Sequence, residues 1–459
     1  MLTARPDEAP PIATIDAANR LNHGCFCITL DRQALMRQLD VEIGAPGFAA
    51  ALSISHPALF SNVPVFVSTE TLAAMESVVA AVEAAAQLPG FRAAAAQWTP
   101  PISVADFGPV GALMGYDFHV TADGPRLIEV NTNAGGAFLN HALASAQQAC
   151  CQEVQALVGT VTPLQDFGDQ IVAMFISEWQ RQRGAGRPRT IAIVDDEPEG
   201  QFMFPEFELA RSLLESRGIK TVIIDPAELR FDGSTLWSGG LAIDLVYNRL
   251  VDFALAESRH TALRAAYETG NVVVTPNPHN HALLADKRNL MPLSSSALLE
   301  AWGLAAEYRK ILRAAVPATV IVDADSADHL WADRRNQFFK PAGGHGSKAA
   351  YRGEKVTRKV WAEILTGNYV AQAFSPPSSR IVVRDGIESK FKLDVRLYTY
   401  AGATLFVAAR LYQGQTTNMR TPGGGFAPIL EITGDDETCC KLLKESFGGR
   451  SNLRDPNTG

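Results

Sequence analysis

Residues 115–136 read GYDFHVTADGPRLIEVNTNAGG. Two runs of alternating character, DFHV and RLIEV, flank the turn signal Ala122-Asp123-Gly124-Pro125, so the segment reads as strand, turn, strand and loop. If residues 116–120 pair with 126–130, Asp117 and Glu129 project from one face. Asn131, two residues beyond Glu129, points the same way. Three hard oxygen donors beside Gly135-Gly136 suit a magnesium ion, whose octahedral shell water and phosphate oxygens complete. The bland alternative is a polar hairpin with a solvated carboxylate pair.

Three later stretches supply cations. In QFFKPAGGHGSKAAYRG (337–353), Lys340 ends an apolar strand beside Gly343, Gly344, His345, Gly346 and Ser347. Glycines let backbone N–H groups face phosphates, and the lysine adds a point charge. The GxxxxGK[ST] pattern is absent, and the alternative is a structural hairpin loop with His345 as a loop residue. Lys287, in LLADKRNL, lies near a predicted helix start, where it can reach a docked anion or remain a surface lysine. The stretch 389–412 reads as a long hairpin closed near Ala401-Gly402, with Arg396 and Arg410 on its two arms. Like charges on one sheet face repel, so phosphate or carboxylate is their natural partner. Asn418, Arg420 and Gly423-Gly424-Gly425 then offer donors to a transferred phosphoryl group; the alternative is an exposed arginine-bearing hairpin.

The bulk numbers bound what this chemistry serves. The chain has 459 residues, 47% hydrophobic and 20% charged, which suits a globular protein of two or three subdomains. A net charge of −8 argues against sequence-independent nucleic-acid binding, which depends on many Lys and Arg contacts to phosphates. The six cysteines, Cys25, Cys27, Cys150, Cys151, Cys439 and Cys440, form no CxxC pair and match no common zinc spacing. They read as reduced, buried small hydrophobes. The first twenty residues are polar and proline-rich without an apolar signal core, and no apolar run approaches the roughly 18–20 residues of a membrane helix. A soluble, cytoplasmic protein is expected. Its oligomeric state is not legible.

Along the chain, residues 1–20 read as a loose arm, and 68–98 as a scaffold helix capped by Ser68 or Thr69 and broken at Pro89-Gly90. RQRGAGRPR (181–189) is a linker. Strand TIAIVDD (190–196), helix PEFELARSLLESRG (205–218), strand KTVIIDP (220–226) and strand AIDLVYNRL (242–250) make a Rossmann-like βαβ pattern without GxGxxG. The expected division is 1–187, a helical region carrying the metal-ligand hairpin; 188–275, an α/β subdomain; 276–445, the nucleotide-binding part; and 446–459, a disordered tail.

In their order, Lys287, Lys340, the strand YVAQAF, Asp394-Val395-Arg396, Arg410, Asn418 and Gly424-Gly425 resemble the ATP-grasp superfamily. The family's closing D…E-x-N element is missing from the C-terminus and appears instead at Asp117, Glu129 and Asn131. That displacement resembles the circularly permuted ATP-grasp group, which includes relatives of glutathionylspermidine synthase. The resemblance covers roughly 113–140 and 188–433.

It implies an α/β (α+β) ATP-grasp fold behind a Rossmann-like pre-ATP-grasp subdomain. It also implies an ATP-dependent ligase that joins a small-molecule or short-peptide carboxylate to an amine or thiol through an acyl-phosphate. By position, Asp117, Glu129 and Asn131 would bind magnesium, or manganese in its place. Lys287 and Lys340 would hold phosphates, and Gly343, Gly344, Gly346 and Ser347 would close over them. Gln372 and the backbone of Val370 and Ala371 would meet adenine; the hinge reads A-Q-A where an acidic or Q-E pattern is more common. Arg396, Arg410 and Asn418 would stabilise the transferred phosphoryl group. A kinase on the same scaffold, or a nucleotide-binding module without catalysis, remains open. The stretch 190–250, with Asp195, Asp196, Glu206, Glu208, Asn248 and Arg249, reads as one side of the cleft; its acidic residues suit a cationic amine or are solvated loop carboxylates.

Overall fold

The alternation at 115–131 becomes two strands, β2 (Met114–Thr121) and β3 (Gly124–Asn131), inside an eight-stranded sheet. The computed structural model describes residues 17–25, 30–147, 158–159, 166–343, 349–384 and 387–433. The sheet runs β1 (Val65–Ser68), β19 (Gly425–Ile432), β18 (Ala403–Tyr412), β17 (Ile387–Tyr400), β2, β3. β16 (Ser378–Arg384) pairs with β17, and β4 (Val158–Gly159) with β19. β17 and β18 are the arms of the expected hairpin, closed by Ala401 and Gly402 at φ of 49° and 81°.

The two faces of this sheet divide the labour. On β17, Leu393, Val395 and Leu397 alternate with Asp394, Arg396 and Tyr398. The first set joins Tyr116, Phe118, Val407 and Ala409 in a core beneath the helix Thr69–Ala86. Ser68 caps that helix by accepting from Thr71 N–H, and Pro89 starts the next one after the break. The opposite face carries Asp117, Glu129, Asp394, Arg396 and Arg410.

The α/β stretch forms a parallel sheet ordered β11 (Val273–Thr275), β10 (Leu245–Asn248), β5 (Thr190–Val194), β6 (Lys220–Ile224). The expected strand 242–250 is split in two. Asp244 accepts the backbone N–H groups of Arg189 and Thr190, at 2.8 and 3.2 Å. Leu241–Ile243 before it belongs to a separate three-stranded sheet, β7 (Leu229–Phe231), β8 (Leu236–Ser238) and β9. A fourth, antiparallel sheet runs β12 (Thr319–Ile321), β15 (Tyr369–Ala373), β13 (Gln337–Pro341), β14 (Tyr351–Arg352).

The expected boundary at 187 divides the chain but not the main sheet: β2 pairs with β17, joining the early hairpin to the late one. The last residues of the expected loose arm are ordered, because the helix Ala17–Gly24 buries Leu21 and its Asn22 amide exchanges two hydrogen bonds with the Phe66 backbone. Residues 1–16, the tail 446–459 and every cysteine but Cys25 lie outside the described residues; Cys25 is buried and unbridged. Among the described residues no single helix is long and apolar enough to cross a membrane.

Candidate functional site

Strand register builds the polar face. Asp117 lies opposite Arg396 on one side and Glu129 on the other, while Asp394 lies opposite Arg410. Directly opposed residues share a face, so Glu129, Asp117 and Arg396 form one row across β3, β2 and β17, and Asp394 with Arg410 forms the next row on that face across β17 and β18. Arg396 holds Asp117 through two hydrogen bonds of 2.6 and 2.7 Å. Arg410 reaches the same carboxylate at 2.9 Å and Asp394 at 2.6 Å. The anions expected beside the two arginines are thus already present in the fold as Asp117 and Asp394. Burial alone would raise the Asp117 pKa; the two guanidiniums outweigh it and hold the group well below the ordinary carboxylate range.

The pairing slips by one residue after Asp117, so Ile128 is bulged out of the β2–β3 ladder. Its carbonyl accepts from Lys340 Nζ at 2.9 Å. Lys340 also donates to Gln372 Oε1 at 2.8 Å, leaving one of its three N–H groups uncommitted. Burial, then the neighbouring Lys287, lower the Lys340 pKa to about 8 against the pull of Glu129. Lys287 Nζ lies 3.8 Å from Glu129. For Glu129 burial raises the pKa, but Lys287 and Lys340 bring it below the usual value. Asn131 donates to both Asp117 and Glu129, at 2.9 and 3.2 Å, which leaves its Oδ1 as an acceptor.

These groups line a cavity of about 360 Å³ between the polar face and the edge of the β13–β15 sheet. Asp117, Glu129, Asn131, Lys287, Lys340, Gln372 and Arg410 are all in its wall. So are Asp394, from the Asp394-Val395-Arg396 run, and residues that the sequence reading did not assign: His119, Arg352, Ser375, Ser378, Lys390, Lys392 and Thr417. The wall holds six basic side chains (Lys287, Lys340, Arg352, Lys390, Lys392, Arg410) against three carboxylates, an excess of positive charge in a protein that is negative overall. Lys390 and Lys392 alternate with the apolar residues of β17, the signal that could have revealed them.

Several polar atoms in the same wall have no partner. Gln372, 2% exposed, spends its carbonyl on Lys340 while its Nε2 is buried and unbonded. The hydroxyls of Ser375 and Ser378 are likewise buried without partners. His119 faces the Ser375 carbonyl through Nδ1 at 2.8 Å. A carbonyl only accepts, so Nδ1 carries the proton. Burial lowers the ring's pKa, leaving a neutral ring whose Nε2 is an acceptor.

Some expected residues stand elsewhere. Val370 and Ala371 are fully buried, and their strand is hydrogen-bonded on both sides, to β12 and β13, so their backbone faces no ligand. The wall begins one residue later, at Gln372. Asn418 spends its amide on the loop 413–421: it donates to Gln413 and Thr416 and accepts from Arg420 N–H and Thr421. Gly343 is exposed, while Gly344, His345, Gly346 and Ser347 lie outside the described residues.

A second polar cluster joins Asp196, Glu257 and His260, with ligand atoms within 4.8 Å of one another. Its charges are matched internally: the two ring nitrogens of His260 lie 2.9 Å from Asp252 and Asp196, and Arg259 pairs with Asp196 and Asp225.

No family model matches the chain, and no curated protein does. Solved structures do. A glutathione synthetase-like effector from Globodera pallida, in its apo form, superposes with a TM-score of 0.54 at 13% identity, over 88% of this chain and 98% of that one. A Methylobacillus flagellatus chain assigned as a gamma-glutamylcysteine synthetase gives 0.43 at 10% identity, over 78% and 87%. The ATP-grasp ligase PsnB with a minimal precursor gives 0.28 at 13% identity, over 57% and 94%. The chain has an ATP-grasp-like fold.

Proposed function

We propose that this ATP-grasp-like chain is an ATP- and magnesium-dependent ligase, its elements in circularly permuted order, that joins a carboxylate of a small molecule or short peptide to an amine. The observation that carries the reading is the cavity wall itself. Positive charge is in excess there, and Gln372 Nε2, Ser375 Oγ and Ser378 Oγ are buried without partners. Buried polar groups are normally bonded, so this wall suits a ligand with polyphosphate at one end and a ring of donors and acceptors at the other. Gln372 and His119 offer polar partners to the base and ribose, and Lys340, Lys287 and Arg410 offer positive charge to phosphates.

The donor set also fits a magnesium ion. Glu129 and Asn131 Oδ1 keep spare lone pairs, whereas the Asp117 oxygens are engaged by Arg396, Arg410 and Asn131. Glu129 and Asn131 would hold the metal, with Asp117 fixing Asn131 in place. When bound, the ion neutralises phosphate charge.

Lys340, Lys287 and Arg410 then offset charge on the transferred phosphoryl group. A substrate carboxylate oxygen attacks the γ-phosphorus, the bond to the bridging oxygen breaks and ADP leaves. The amine nitrogen next attacks the acyl carbon, the bond to phosphate breaks, and the surplus proton passes to water. Phosphoryl transfer needs positioning and charge more than a protein nucleophile. The test is ADP and phosphate release with Mg-ATP against paired libraries of amino acids, short peptides and amines. Turnover that appears only with a carboxylate–amine pair, and vanishes in Lys340→Ala and Glu129→Gln, supports the reading. A stable phosphoester product, or turnover unchanged in both variants, overturns it.

A further inference from the structure

The parallel sheet reverses its winding between β5 and β10. From β5 the chain moves outward to β6, then returns to β10 on the other side and continues to β11. Open α/β sheets take ligands beyond the carboxyl ends of their strands at such a switch point. The first residues past those two ends are Asp195 and Arg249. Val194 pairs with Asn248, and Arg249 N–H donates to Val194 O at 2.8 Å, so the two stand side by side.

The charges around them are matched by direct contacts, whereas Asp195 and Arg249 attract each other without a contact ion pair among the described residues. Asp196 is held by His260 and Arg259. Glu206 accepts from the backbone N–H groups of Gly136 and Leu139 at 2.9 and 3.1 Å. Glu208 pairs with Arg211. Arg249, 5% exposed, forms no ion pair among the described residues; its bonds go to the Tyr247 hydroxyl at 3.1 Å and the Ala134 carbonyl at 3.4 Å. Its Nε is buried with no partner. The Asp195 carboxylate, in a residue 8% exposed, accepts only the N–H of Asp196 at 2.9 Å. A buried guanidinium without a contacting anion is costly, and the carboxylate beside it forms no ion pair among the described residues either.

We propose that Asp195 and Arg249 dock the zwitterionic α-amino-acid end of a substrate, its carboxylate on Arg249 and its ammonium on Asp195. The inference rests on the ligase reading for the use made of the docked molecule, and Gly135 supplies the connection. The Gly135 carbonyl accepts from the Tyr398 hydroxyl at 2.8 Å and from Arg396 at 3.4 Å. A Cβ at position 135 would lie 3.5 Å from a terminal nitrogen of Arg249 and 3.0 Å from the Met203 methyl. Arg249 therefore stands on one side of Gly135, beside Met203, and Arg396 with its partner Asp117 on the other. Of the acidic residues read from sequence as suited to a cationic amine, Asp196, Glu206 and Glu208 are engaged elsewhere, which leaves Asp195. The uncommitted cation selects a ligand with a carboxylate.

The test is binding, which requires no turnover. The twenty L-amino acids and glycylglycine are titrated calorimetrically into the full chain with and without Mg-AMPPNP. The tightest binder is then compared with the amine lacking its α-carboxylate and the acid lacking its α-amino group. Each deleted group is expected to weaken binding at least tenfold, as are Arg249→Gln and Asp195→Asn, while Mg-AMPPNP affinity stays within about twofold. Asp195→Asn keeps the test standing if Arg249→Gln loses the fold. No amino acid or dipeptide binding, or binding equal in wild type and a folded variant, overturns the proposal. Amino-acid binding without any Mg-AMPPNP binding would instead retain this site and sink the ligase reading.

Discussion

Arg396 and Asp117 face each other across β17 and β2, and the guanidinium fork grips the carboxylate through two hydrogen bonds. Arg410 reaches the same carboxylate from β18, so one buried anion holds two cations together. Removing one partner of a buried charge group is far more damaging than replacing the whole group. Asp117→Ala is expected to lower stability by roughly 3–5 kcal/mol, read as the shift in a urea unfolding curve. Adding Arg396→Met should restore part of that loss, a coupling a double-mutant cycle measures. An unchanged midpoint for the single variant would refute the arrangement.

Burial lowers the Lys340 pKa to about 8. Phosphate oxygens favour the ammonium form, so nucleotide binding raises this pKa and takes up a proton above pH 8. The expected result is constant Mg-ATP affinity below about pH 7.5 and a decline approaching tenfold per unit above pH 8. Calorimetry in buffers of different ionisation enthalpy should register proton uptake on that limb. Lys340→Arg, whose charge persists past pH 12, should flatten the profile between pH 8 and 9.5. A wild-type profile flat to pH 9.5 would show that this amine does not meet the phosphates.

Glu206 is 1% exposed, and burial raises its pKa despite the backbone N–H groups it accepts at the start of the helix Ala137–Ser145. Glu206→Ala leaves those donors without a partner and should cost about 1–3 kcal/mol. Glu208→Ala, which removes only a partly exposed pair with Arg211, should stay within about 0.5 kcal/mol. Equal effects in thermal unfolding would mean that Glu206 does not anchor the loop.

Gly136 has φ of 103°, and a side chain there would run into the Phe426 ring and the Tyr398 hydroxyl. Gly124, at φ 99°, has open space where a Cβ would go. Gly124→Ala should therefore cost only the backbone part, about 1–3 kcal/mol, and Gly136→Ala clearly more. The difference in melting temperature separates strain from collision. If both shift it equally, the packing around Gly136 is not the constraint described.

The strands were legible where the local pattern was strong. LDVRLY alternates so plainly that β17, its turn and the side of the sheet taken by Arg396 follow from residue order. The partners were not legible. Nothing near Arg396 names Asp117, and their meeting is decided by a strand pairing that spans 279 positions. Asn418 read as a ligand donor because asparagine beside glycines suits that role, yet the same amide closes its own loop, a competition that Asn side chains generally invite. Val370 and Ala371 read as hinge backbone because β12, three residues long, gives too short a signal to reveal a strand on the far side of β15. The roles of Lys340 and Gln372 hinge on a bulge at Ile128, and a bulge is a two-strand property that no single stretch encodes.

The antiparallel seam between β2 and β17 has a bearing on assembly. Its two edges are synthesised more than 260 residues apart, on either side of residues 184–189, which join the helix Phe167–Arg183 to β5. A polypeptide released at that linker carries Asp117 and Glu129 with no lysine opposite them, and its complement carries the lysines with Asp394 as the one remaining wall carboxylate. Neither fragment owns half of a working centre; each owns one wall of it. If the proposed nucleotide site is right, co-expressed pieces must rebuild the seam before either binds nucleotide, which makes this junction a natural place to cut for a reporter of fragment reunion.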